Sequence, residues 1–153
     1  MPPVHAEKCT LREIIAFVDV LRLDPAEAVR VTNYFDSMLA QGVFTRIIYC
    51  EDEPIVITGA LEMVANPKVC QCWVHARPDA ARFGFTGSVT RMLRRLVLDL
   101  CRDFGYHRAQ AIVTEAEGKV VMRWVKAIGF KFEGEMKQFC SDKTSAYMYG
   151  LIP

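Results

Sequence analysis

The sequence lacks any marked excess of charge of one sign: Lys and Arg number 19, Asp and Glu 18, and the net charge is +1. Binding nucleic acid through bulk electrostatics takes a strong basic surplus, so that class is not expected. No apolar run approaches the ~20 residues that a membrane-spanning helix needs, and no membrane segment is expected. The opening stretch, MPPVHAEKCT, has no basic start followed by an apolar core, so a secretory leader is not predicted and a cytoplasmic location is. The six cysteines (Cys9, Cys50, Cys70, Cys72, Cys101 and Cys140) include no C-x-x-C pair, and His5, His75 and His107 lie far apart in the chain. Zinc sites want ligands at tight paired spacing, so no metal is expected and the thiols read as small reduced core residues.

What is present is an ordinary globular composition, 52% hydrophobic and 24% charged over 153 residues. No linker, repeat or low-complexity stretch divides it, which predicts a single domain over 1–153. Thr10-Leu11-Arg12-Glu13 is a capping box, followed by a helical stripe of Ile14, Ile15, Phe17, Val18 and Leu21. Asp24-Pro25-Ala26-Glu27 opens a second helix whose apolar side runs through Val31, Tyr34, Phe35, Met38 and Leu39 to a stop at Gly42.

Three β-rich runs follow at 43–50, 55–64 and 69–76, separated by Glu51-Asp52-Glu53-Pro54 and Asn66-Pro67-Lys68. Short polar turns between such runs predict an antiparallel meander. After a loop at 77–87, a helix over 88–105 buries Val89, Met92, Leu93, Leu96, Val97 and Leu100 and turns Arg91, Arg94, Arg95 and Arg102 away. A strand at 108–114 and a helix at 117–128 come next. That helix ends at Gly129, suited to a left-handed C′ position, with Phe130 folding back on its last turn. Phe130, Phe132, Gly134 and Met136 then alternate with charged residues as a strand with one apolar face, and TSAYMYGLIP (144–153) supplies a last strand. The fold class is α+β, or mixed α/β: a central mixed sheet with an antiparallel meander and flanking helices.

This element order, together with Ile128-Gly129-Phe130-Lys131-Phe132-Glu133-Gly134, resembles the GNAT superfamily of acyl-CoA-dependent N-acetyltransferases, whose fourth helix ends in a Gly-Phe dipeptide. The resemblance covers nearly the whole chain in element order and is concentrated at residue level in 85–136. It implies a sheet in which strands 69–76 and 108–114 splay apart to admit the pantetheine of acetyl-CoA. Thr86, Gly87, Ser88 and Val89 would hold the pyrophosphate at the start of helix 88–105, where backbone N–H groups and the helix dipole favour an anion. Arg82 and Arg91 would add charge, and Val74, His75 and Ala76 would offer backbone to the pantetheine amides. The family's glycine-rich phosphate loop falls on Gly84, Gly87 and Val89, of which only the central glycine agrees. Val125 stands where many members carry a Tyr acid, and Gly118 where an Asn is often found.

Amine acetylation needs a base for the amine and an acid for the departing thiolate. His75, at the end of a strand that would line the gap, and Glu62 are the candidate bases, Tyr147 a candidate acid. Each has a plainer alternative: His75 packed at a strand end, Glu62 facing solvent, Tyr147 in a strand face. The expected partner is an amine substrate. A second reading is a catalytically silent GNAT-fold structural or assembly protein, with protein partners or self-association through the C-terminal strand YMYGLI at a sheet edge. Short GNAT-like proteins encoded by tailed bacteriophages, some tied to the virion, look similar in keeping the long helix and the Gly-Phe joint without the glycine-rich loop.

Overall fold

The computed structural model describes residues 3–80 and 87–153. In chain order the elements are β1 (Val4–Lys8), α1 (Leu11–Val20), α2 (Pro25–Gln41), β2 (Phe44–Cys50), β3 (Glu53–Met63), β4 (Asn66–Ala76), α3 (Ser88–Phe104), β5 (Arg108–Thr114), α4 (Gly118–Ile128), β6 (Lys131–Met136) and β7 (Ala146–Leu151). A 3-10 turn, Glu115–Glu117, leads into α4. The strands form a seven-stranded sheet in the order β1-β2-β3-β4-β5-β7-β6. β4 and β5 are parallel, whereas β1–β2, β2–β3, β5–β7 and β6–β7 are antiparallel. This is the mixed sheet with flanking helices that the sequence predicts. The chain packs as two compact units, Met1–Leu61 with Trp73–Met92, and Glu62–Cys72 with Leu93–Pro153.

In the first unit the helix starts follow from their caps. The Glu13 carboxylate accepts from the Thr10 backbone N–H at 2.9 Å and from the Thr10 hydroxyl, closing the capping box of α1. Asp24 accepts from Glu27 N at 3.0 Å, and Pro25 occupies the first turn of α2, where its missing N–H costs nothing. Cys9, Ile14, Phe17, Val18 and Phe35 then pack with Ile47 and Ile57 in one core. β3 is buried continuously from Pro54 to Ala60, as its unbroken apolar run requires. The expected apolar side of α2 is narrower than the spacing suggested. Phe35 is buried, but Tyr34, one residue earlier, is 46% exposed.

In the second unit the Gly129 joint behaves as its residues dictate. Gly129 has φ 122°, its N–H bonds to Lys126 O at 3.0 Å, and Phe130 N bonds to Val125 O at 3.3 Å. These two bonds satisfy carbonyls that the helix end would otherwise leave unpaired. Phe130 is buried at 5% exposure. Arg108 of β5 and Glu133 of β6 form a two-point ion pair across the intervening β7, and Gly150 lies beneath it with no side chain to obstruct the pair.

Three local expectations are corrected. The turn between β3 and β4 is Val64-Ala65 instead of Asn66-Pro67-Lys68, and Val64 is fully exposed at its tip. Pro67 is tolerated inside β4 because the rungs shared with β5 begin only at Val69. The strict alternation of β6 fails because Phe132 pairs with Tyr149 and Gly134 with Met148, leaving Glu133 as the extra residue of a bulge. Phe132 and Gly134 therefore stand opposite consecutive residues, on different faces, and Phe132 is 52% exposed. The C-terminal strand is not an edge: β7 lies between β5 and β6, with partners on both sides, so self-association by edge pairing of YMYGLI is excluded. The cysteines are not joined in disulfides, and Cys9, Cys50, Cys70 and Cys101 are buried, as expected of core thiols. Burial, with a smaller contribution from Glu13, pushes the Cys9 thiol up to about 11. No helix among the described residues is long and apolar enough to cross a membrane.

Candidate active site

The residues expected to hold an acyl-CoA fall in the first compact unit. α3 begins at Ser88, and Arg91 N donates to Gly87 O at 3.2 Å. The first turn of any α-helix directs N–H groups outward that have no carbonyl partner within the helix. Gly87 and Ser88 are partly accessible, whereas Val89 is wholly buried, backbone included. Arg82, Gly84 and Thr86 lie outside the described residues.

β4 supplies the second part. Its ladder with β5 takes in only Val69–Arg108, Cys70–Ala109 and Gln71–Gln110, whereas β4 itself runs on to Ala76. The far end of β4 is anchored on its β3 side: the Thr58 hydroxyl donates to Trp73 O at 2.8 Å and Arg77 N donates to Ile55 O at 3.0 Å. The Arg77 guanidinium, 8% exposed, is clamped by Glu53 at 2.6 Å and Asp79 at 2.5 Å. A buried cation held by two carboxylates fixes the chain where β4 ends. Val74, His75 and Ala76 are thus carried on a strand end that is secured by hydrogen bonds and an ion-pair cluster.

His75 sits among aromatic rings that the sequence did not group with it. Its ring centroid is 5.2 Å from Phe35, 5.8 Å from Tyr34 and 5.9 Å from Trp73. Trp73 lies against Gly59 of β3, where a Cβ would stand 2.5 Å from the indole Cζ2 and 2.6 Å from Phe44 O. The indole Nε1 of Trp73 is buried with no hydrogen-bond partner among the described residues. The signal available in sequence was the i, i+2 spacing of Trp73 and His75, which places both on one strand face. That α2 would deliver Tyr34 and Phe35 to that face could not be read from spacing.

The other two candidates belong to the second unit. Glu62 is exposed and accepts a 2.8 Å hydrogen bond from the Tyr106 hydroxyl. Tyr106 is buried, and desolvation together with the Glu62 contact raises its phenol well above the ordinary range. Tyr147 on β7 pairs with Val113 and Glu135 in the flanking strands, and its ring is 6.5 Å from Phe132. Val125 is 4% exposed and brings no hydroxyl to α4. Tyr106 was missed in the sequence because nothing in a lone Tyr after Gly105 reveals a partner 44 residues away.

No protein-family model matches the chain, and no curated protein matches it. Solved structures do. A protein from Desulfovibrio desulfuricans assigned to the GNAT family of acetyltransferases is similar with a TM-score of 0.76 at 17% identity, over 98% of this chain and 99% of that one. RimL, a ribosomal L7/L12 alpha-N-protein acetyltransferase in complex with coenzyme A, is similar with a TM-score of 0.75 at 13% identity, covering 97% and 93%. The ribosomal-protein-S5-alanine acetyltransferase of Vibrio fischeri is similar with a TM-score of 0.73 at 11% identity, covering 99% and 94%. The chain therefore has the fold of the GNAT acetyltransferases. At these identities the likeness is one of fold.

Proposed function

We propose that the protein is an acyl-CoA-dependent N-acyltransferase that moves an acetyl group from acetyl-CoA to an amine. The observation that carries this reading is β4, which runs on to His75 and Ala76 after its last rung with β5 at Gln71. Beyond Gln71 the printed rungs with β5 end, and the strand edge on that side is where pantetheine amides would run alongside β4. Among the described residues, Gly87 and Ser88 at the start of α3 are the partly accessible ones beside which the pyrophosphate would lie, with Val89 buried beneath them. Acetyl-CoA supplies an acyl group activated as a thioester. His75 takes the proton that the amine nitrogen must lose to attack it. Bound coenzyme A in RimL supports the reading.

Val125 favours a second reading, a GNAT fold without catalysis, because it is buried and aliphatic where many members place the Tyr acid. A virion role has no support from the solved structures. The two readings separate in a thiol-release assay with acetyl-CoA and a panel of amines. The transferase reading expects turnover, with His75→Ala lowering kcat by roughly 100-fold while leaving acetyl-CoA affinity unchanged. Absence of turnover with every amine, or an unaltered rate in His75→Ala, overturns the assignment of His75.

A further inference from the structure

α4 carries cations and no acid. Lys119, Arg123 and Lys126 are all exposed, and their i, i+4, i+7 spacing puts them on one face of the helix. The acids just before α4 are occupied: Glu117 accepts from Thr114 N at 2.6 Å, and Glu115 accepts from Ser145 N at 3.1 Å. A further cation comes from α3. The Arg94 guanidinium lies against Gly129 at the end of α4, where an added Cβ would stand 2.6 Å from Nη1. All of these cations belong to the second compact unit, and none of them enters an ion pair among the described residues. Arg95 and Arg102 of α3, by contrast, share Asp99.

Helix stability does not account for this pattern. The dipole favours a cation in the last turn, which suits Lys126, and disfavours one in the first, where Lys119 stands. Lys119 and Arg123 also repel one another across a single turn. A face that keeps such repulsion is complementary to a run of anions.

The surroundings decide which run. Lying in a membrane surface requires a helix with a free apolar face, and that of α4 is turned into the protein, with Val125 and Ile128 buried. Single-stranded nucleic acid stacks its bases on exposed aromatic rings, whereas the exposed large apolar residue of α4 is Val120, an aliphatic one. Carboxylates on alternate residues of an extended peptide recur at ~6.6 Å. Cations one helical turn apart stand at a similar ~5–6 Å. Arginine also takes a carboxylate in two parallel hydrogen bonds.

We propose that Arg94, Lys119, Arg123 and Lys126 form a docking surface for an acidic peptide segment of a partner protein, with carboxylates on alternate residues. The proposal stands apart from the transferase reading, and none of its residues belongs to the acyl-CoA site.

The test is fluorescence anisotropy of the full chain with a fluorescein-labelled (Glu-Ala)6 peptide. The comparison probes are (Gln-Ala)6, which is neutral, and a labelled seven-nucleotide oligothymidylate, which carries as many phosphates as the first peptide has carboxylates. The expected result is saturable binding of (Glu-Ala)6 that weakens as salt is added, with (Gln-Ala)6 unbound. Lys119→Glu combined with Arg123→Glu is expected to weaken that binding about tenfold. Arg12→Glu combined with Arg30→Glu, an equal change of net charge on α1 and α2, is expected to leave it unaltered. Circular dichroism establishes that both double variants are folded. If the α4 reversal does not fold, Lys119→Gln combined with Arg123→Gln gives the same reading. No binding of (Glu-Ala)6, equal binding of the two peptides, or an equal loss in the two double variants overturns the proposal. Tighter binding of the oligothymidylate also overturns it, by assigning the face to nucleic acid.

Discussion

Replacing Gly59 by Ala tests whether the position of Trp73, and through it the setting of His75, depends on a bare backbone in β3. The added Cβ would stand 2.5 Å from Trp73 Cζ2, 2.7 Å from Cε2 and 2.6 Å from Phe44 O. The ring could swing away, but the Phe44 carbonyl belongs to β2, which is paired to β3 from Phe44 through Cys50 and cannot yield cheaply. Overpacking of this kind costs ~1–3 kcal/mol. The loss of glycine's freedom in the unfolded chain returns about 0.4–1 kcal/mol. A net destabilisation of roughly 1–2 kcal/mol follows, a fall in Tm of about 2–8 °C for a chain of this size. Thermal unfolding by far-UV circular dichroism measures it, and the near-UV tryptophan band and the His75 ring resonances should shift in parallel. Gly134→Ala is the matched control, since a Cβ there meets nothing within 4 Å. If the two variants are equally stable within about 0.5 kcal/mol, or the His75 resonances are unmoved in Gly59→Ala, the packing argument is wrong.

Gly129→Ala should destabilise by about 1–2 kcal/mol, read from urea unfolding, because φ 122° is strained for any L side chain; the Arg94 guanidinium, 2.6 Å from the new Cβ, can move aside. The Arg108–Glu133 pair should be worth at most about 1 kcal/mol, since both side chains retain partial exposure. Its pH dependence has a fixed sign. The hydrogen bond from Arg108 holds the Glu133 carboxyl below its ordinary value of 4.5. The contribution is therefore present above that value and is lost as pH falls through the lower folded one, so Arg108→Gln should differ from the parent at pH 7 and converge with it in acid, as unfolding curves at each pH would reveal. Val125→Tyr, which installs the family's acid, should lower Tm and not raise turnover, because the site is buried and overpacking costs ~1–3 kcal/mol.

Local signals carried far in this sequence. Thr10 with Glu13, Asp24 with Pro25, and Gly129 with Phe130 each fix an element boundary through hydrogen bonds made within a few residues, and all three operate as their residue types demand. The order of elements followed from periodicity, and with it the class of sheet. What could not be read were facts set by partners distant in the chain. The placement of β7 between β5 and β6 is made by two ladders formed across long separations, and the Arg108–Glu133 pair spans it. In hindsight the charged pattern of β6 was the better mark of an edge than the apolar C-terminus, because edge strands are commonly guarded by charge. The bulge at Glu133 defeated the alternation rule, which counts residues and cannot see an inserted one. Within the site, His75 was legible as a titratable group at a strand end. Its aromatic surroundings were not, since Tyr34 and Phe35 reach His75 only once α2 is laid on the sheet.

The account's central claim is that acetyl-CoA is held by the first turn of α3 and the end of β4. Isothermal titration calorimetry of the purified chain with acetyl-CoA, beside Gly87→Trp, tests it most directly. The account predicts saturable binding in the micromolar range, lost when an indole is placed at the start of α3 while the Tm is unchanged. No binding heat from the parent chain at concentrations well above that range, or equal binding by Gly87→Trp, would contradict it.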